Sequence, residues 1–91
     1  MLPKITNYGR YDSNNYGAHS LMIETDGIDL YYSYETIVAY RDEEDGLVVS
    51  ENVWSTTTGK HLNWILADKL LRTKNENFNN LLDAAIERHI K

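Results

Sequence analysis

No cysteine occurs among the 91 residues, which excludes a disulfide framework and a thiolate zinc site. No apolar run is long enough to span a bilayer, and the opening Met1-Leu2-Pro3-Lys4 has no signal-peptide hydrophobic region. A cytoplasmic protein with no membrane role is the expectation. Cations are scarce as well: nine Lys and Arg stand against 14 Asp and Glu, for a net charge of −5. Non-specific nucleic-acid affinity rests on exchanging condensed counterions for protein cations, so direct nucleic-acid binding is not expected. The chain offers no acids or histidines at metal-ligand spacing, and no serine-centred elbow. Neither a metal nor a cofactor is expected. The length suits one domain over residues 1–91, near the lower end of what folds alone.

What the chain does have is aromatic residues and turns. Seven Tyr, two Trp and one Phe supply large apolar faces, most with a polar tip, a combination suited to binding surfaces as well as to small sheets. Residues 5–17 are turn-rich, with Asn-Tyr-Gly at 7–9 and again at 15–17, and a short first strand is expected over residues 5–11. Residues 18–25 and 28–34 flank Asp26-Gly27, a dipeptide suited to a type I′ hairpin turn. That register sets Ile23 against Leu30, Leu21 against Tyr32, and His19 against Tyr34 at the open end, with Met22 and Tyr31 on the other face. A second hairpin joins residues 36–41 to residues 47–54 through Asp42-Glu43-Glu44-Asp45-Gly46. Such an acidic tip reads as a solvated loop.

The densest chemistry lies in residues 52–65, N-V-W-S-T-T-T-G-K-H-L-N-W-I. A phosphate-binding Walker loop requires G-x-x-x-x-G-K-[ST]. Here Trp54 stands at the first glycine position and His61 follows Lys60, so both the backbone nest and the magnesium ligand are missing. A strand-to-helix corner remains, with Thr57 or Thr58 as N-cap, the N–H groups of Gly59 and Lys60 outward, and a helix from Gly59. Such a corner can hold an anion. Facing the open end of the first hairpin, it would gather Tyr16, His19, Trp54, Thr57, Thr58, Gly59, Lys60, His61 and Trp64 into one ligand site.

Toward the C-terminus, Thr73 to Glu76 fits a capping box. Phe78, Leu81, Leu82, Ala85, Ile86, His89 and Ile90 then recur as one helical stripe. Residues 67–72 read as either helix or loop. The predicted class is α+β: an antiparallel four- to five-stranded meander sheet, then a short helix and a C-terminal amphipathic helix. Both helices are placed on one face. The other face would then show Met22, Tyr31, Val38, Tyr40 and Val48, which points to a homo-oligomer.

N-Y-G-A-H at residues 15–19, L-Y-Y-S-Y-E-T-I-V-A-Y at 30–40 and S-E-N-V-W-S-T-T-T-G-K-H-L-N-W-I at 50–65 resemble a family of small bacteriophage and prophage proteins. The resemblance covers about residues 11–65. It implies expression inside a bacterial host and action against host defence, and it brings no catalytic assignment.

Three function classes follow. The first is a non-enzymatic binder sequestering a small phosphorylated or nucleotide-like ligand. Tyr16, Trp54 and Trp64 would stack on it, residues 57–60 would hold the anion, and His19 and His61 would donate hydrogen bonds. The second is an acidic inhibitor of a host defence protein, a nuclease or CRISPR effector, with Asp42 to Asp45 standing in for phosphates. The third is a phosphodiesterase using His19, His61 and Lys60 as acid and base, although the sequence pattern of two-histidine phosphoesterases is missing.

Overall fold

The alternation on either side of Asp26-Gly27 sets the register that the rest of the sheet inherits. In a computed structural model describing residues 4–7, 20–54 and 56–89, Ile23 faces Leu30 and Leu21 faces Tyr32, as expected. Around this hairpin stand β1 (Lys4–Asn7), β2 (Ser20–Glu24), β3 (Ile28–Ser33), β4 (Thr36–Asp42) and β5 (Gly46–Val49). They form one antiparallel meander in chain order. Helix α1 (Thr56–Ile65), a 3-10 turn (Lys69–Leu71) and helix α2 (Asn75–His89) follow. The α+β class is as predicted.

The Asp26-Gly27 turn differs from the expected type. A type I′ turn needs positive φ at both central residues, and only Gly27 has it, at +92°. The Thr25 hydroxyl and N–H both donate to the Ile28 carbonyl and close the turn without it. Gly27 has a second reason to be glycine: an added Cβ would stand 2.6 Å from Nδ1 of His89.

A bulge in β4 decides how the sheet is covered. Tyr31 pairs with Ala39 but Tyr32 pairs with Ile37, so Val38 is the extra residue. Val38 and Ala39 therefore both turn toward the face that carries Val49, where Leu62 of α1 completes a core. Ile28, Leu30 and Tyr40 form the core of the opposite face with Phe78, Leu82 and Ala85 of α2. The helices thus lie on opposite faces, where the sequence reading had placed both on one. Consecutive apolar residues in I-V-A-Y and L-V-V are what a strand buried on both sides requires. The exposed apolar face that motivated an oligomer is covered within the chain.

Two boundaries also move. Strand β5 ends at Val49, well short of residue 54, because Ser50 and Glu51 turn to partners near α2. The capping box is replaced by a tertiary cap. Lys74 accepts the first helical bond, from the Phe78 N–H, and the Glu51 carboxylate takes the Asn75 N–H at 2.8 Å. Thr73 is held by β5 instead. Behind this cap Phe78, Leu82 and Ala85 of the expected stripe are buried and Ile86 and His89 half-buried, Leu81 is exposed, and Ile90 lies outside the described residues. Phe78 is fully buried, which stabilises by roughly 1.5–3 kcal/mol.

The far end of α2 is fastened to the acidic loop. Arg88 donates to Asp42 and Asp45 and pairs with Glu44, and His89 Nε2 lies 3.1 Å from Asp42 Oδ2. Tyr40 donates its hydroxyl to Asp45 at 2.6 Å. The tip is solvated at Glu43 to Asp45, as expected, but through Asp42, Glu44 and Asp45 it also anchors the helix. Burial alone would push the Asp42 carboxyl up. The Asp45 N–H, Arg88 and His89 outweigh it and hold the group at about 2 instead of 3.8. A depressed carboxyl stabilises the fold above its unfolded value, and that contribution is lost as pH falls toward the folded one. Chemical denaturation should therefore show stability falling between about pH 4 and pH 2. Asp42→Ala should flatten this dependence and lower neutral-pH stability by roughly 2 kcal/mol.

Candidate functional site

Helix α1 begins at Thr56, three residues before the expected Gly59. Thr57 and Thr58 are therefore helical residues and not N-caps, and the Lys60 N–H is engaged within the helix. The physical reason is a buried partner on the sheet. Thr58 and His61, three residues apart on one helical face, both meet Ser33 of β3. The Ser33 hydroxyl donates to Thr58 Oγ1 at 3.0 Å and lies 2.6 Å from His61 Nδ1. With its proton given to Thr58, Ser33 accepts from His61, which requires the Nδ1–H tautomer. All three side chains are buried, as is Ser20, the residue paired with Ser33 in the sheet. The Tyr34 ring, on a residue with φ of +57°, stands 5.8 Å from the imidazole.

The other predicted site residues divide. Lys60, Trp54 and Trp64 are exposed, and the Trp54 N–H bonds the Asn52 side chain at 3.0 Å. Tyr16, His19 and the side chain of Thr57 lie outside the described residues. The corner therefore separates into a buried half, Thr58 and His61, and an outward half that carries Lys60.

The outward half opens on a hollow of about 530 Å³. It exists because the chain leaves β5, makes α1 and the 3-10 turn, and then returns to the same strand edge. Thr73 donates its N–H to the Val49 carbonyl and accepts from the Glu51 N–H, both at 2.7 Å. Inside this tied excursion, α1 contributes Gly59, Lys60 and Asn63, the strand exit contributes Glu51 and Asn52, and the return contributes Lys69 and Arg72. Gly59 permits close approach, since a Cβ there would stand 3.0 Å from Asn52 Nδ2.

Arg72 is the rigid wall of this hollow. Its Nε and Nη2 donate to the Leu66 carbonyl, and Nη2 also reaches Asn63 Oδ1 at 2.8 Å. These acceptors are neutral. Among the described residues neither Arg72 nor Lys69 forms an ion pair, and burial pushes the Arg72 guanidinium below its ordinary value. A cation without a carboxylate, in a partly desolvated wall, favours an anionic occupant. Sequence reasoning found Gly59 and Lys60 but missed Glu51, Asn52, Asn63, Lys69 and Arg72. Lys69 and Arg72 fall in the stretch read as either helix or loop, and only the return of Thr73 to β5 brings them to the corner.

Among the described residues the lining contains no histidine or serine.

The chain belongs to a family of unknown function, DUF8033. The family model matches residues 3–80, a span that includes every residue lining the hollow and the Ser33–Thr58–His61 cluster. No curated protein and no solved structure matches the chain.

Ser33→Ala should destabilise the fold by roughly 1–3 kcal/mol in urea denaturation. It removes the hydroxyl that serves both Thr58 and His61 while leaving the hollow intact.

Proposed function

We propose that this protein is a non-enzymatic binder that sequesters a small phosphorylated or nucleotide-like ligand in the hollow beside α1. One observation carries the reading: Lys60, Lys69 and Arg72 converge on a single hollow in a chain of net charge −5 with only nine Lys and Arg. Such local focusing of one sign against the overall charge concentrates ligands of the other. The volume falls within the range of small-molecule sites. The resemblance to phage proteins supports a counter-defence role in a bacterial host, with an immune signalling molecule as the ligand.

The acidic-inhibitor reading is less well supported. Asp42, Glu44 and Asp45 pair with Arg88 and Asp42 is buried, so part of the loop's charge serves to fasten α2.

The test is thermal unfolding against a panel of linear and cyclic nucleotides and sugar phosphates. Phosphorylated compounds should raise the melting temperature. Lys60→Ala and Lys69→Ala should each weaken affinity about tenfold, as loss of a charge-assisted contact does. Trp54 and Trp64, two and one residues beyond lining Asn52 and Asn63, give an intrinsic fluorescence readout of the same binding. If no phosphorylated compound shifts the transition, the binding reading fails. Ligand turnover that disappears in His61→Ala would replace it with the phosphodiesterase.

A further inference from the structure

The chemistry of the lining identifies which part of such a ligand enters. We infer that the hollow takes a sugar phosphate: a phosphate ester on a hydroxyl-bearing sugar, with any nucleobase left outside. This deepens the proposed function and rests on it.

Two features of the lining lead there. Among the described residues no aromatic or aliphatic side chain lines the hollow; apart from Gly59, each of them has a polar or charged side chain. Pockets that grip flat, apolar groups are lined mainly by hydrophobic and aromatic residues, and stacking needs a π-face. Among the described lining residues a base finds no aromatic ring to stack on. The exposed Trp54 and Trp64 do not line the hollow, so any stacking would take place outside it.

The second feature is Glu51. A carboxylate in a site for phosphate alone is unfavourable, because like charges repel across the hollow. A carboxylate beside cations is instead suited to a ligand that carries both an anion and hydroxyl donors. Glu51 Oε2 accepts the Asn75 N–H at 2.8 Å, which fixes the side chain at the wall. Oε1 makes no hydrogen bond to a described residue and can take an O–H. Asn52 and Asn63 add amide groups on either side. Lys60, Lys69 and Arg72 hold the phosphate. Arg72 keeps Nη1 for this purpose, since among the described residues only Nε and Nη2 make hydrogen bonds.

Titration calorimetry with the whole chain separates the alternatives. The ligands are inorganic phosphate, ribose, ribose 5-phosphate, adenosine and adenosine 5′-monophosphate. Ribose 5-phosphate should bind at least about tenfold more tightly than inorganic phosphate, and the monophosphate nucleotide should bind no more than a few-fold differently from it. Neither ribose nor adenosine should bind measurably. Glu51→Gln keeps an oxygen acceptor for Asn75 while removing the charge. It should weaken ribose 5-phosphate but tighten inorganic phosphate, and a merely structural role would shift both the same way. Lys69→Ala, whose side chain makes no hydrogen bond or ion pair among the described residues, should weaken both. If the nucleotide binds and ribose 5-phosphate does no better than phosphate, the sugar assignment is overturned while the binding function stands. Equal tightening of both ligands in Glu51→Gln would overturn it as well. If no phosphorylated compound binds, both readings fall.

Discussion

The backbone of Thr73, bonded on both sides to the outer edge of β5, is the constraint on which most of the molecule depends. Its N–H reaches Val49 and its carbonyl receives the Glu51 N–H, so one residue acts as a sixth strand. The end of β5's open edge is thereby paired. The same pairing closes the excursion through α1 and the 3-10 turn, and it fixes where α2 starts. Glu51 then caps α2, and Asn75 reaches back to Ser50 at 3.1 Å. Without this return, Lys69 and Arg72 would have no reason to stand opposite Lys60.

The bulge at Val38 is the second device, and it works by parity. An extra residue in β4 lets Val38 and Ala39 face α1 while Ile37 and Tyr40 face α2. A sheet of short strands thus gains two cores, each closed by a single helix. The α1 side is completed at one end by a polar cluster. There Ser33 bonds Thr58 and His61 together, and such directional buried bonds orient the helix more strictly than apolar contact alone.

Charge is sorted between the two ends of the chain's helical half. Arg88 pairs with the acidic loop, His89 bonds Asp42, and together they fasten α2. Lys69 and Arg72 are left without acidic partners among the described residues, at the edge of the hollow. The protein is acidic in total and locally cationic, a distinction that composition averages away.

The sequence by itself determined the meander, the register of the first hairpin and the stripe of α2. Each of these is a local period, two residues in a strand or three to four in a helix, and local sterics enforce it. It also marked Gly59, Lys60 and His61 as unusual, but it could not say that Lys60 faces a hollow while His61 faces the sheet. That division depends on where α1 begins, and Ser33, far away in sequence, decides it by offering Thr58 and His61 a buried partner. Likewise the face each helix covers follows from one bulge, and the cation cluster from one backbone pairing at Thr73. Tertiary structure alone decided these, because bonds between distant residues leave no periodic trace in either segment.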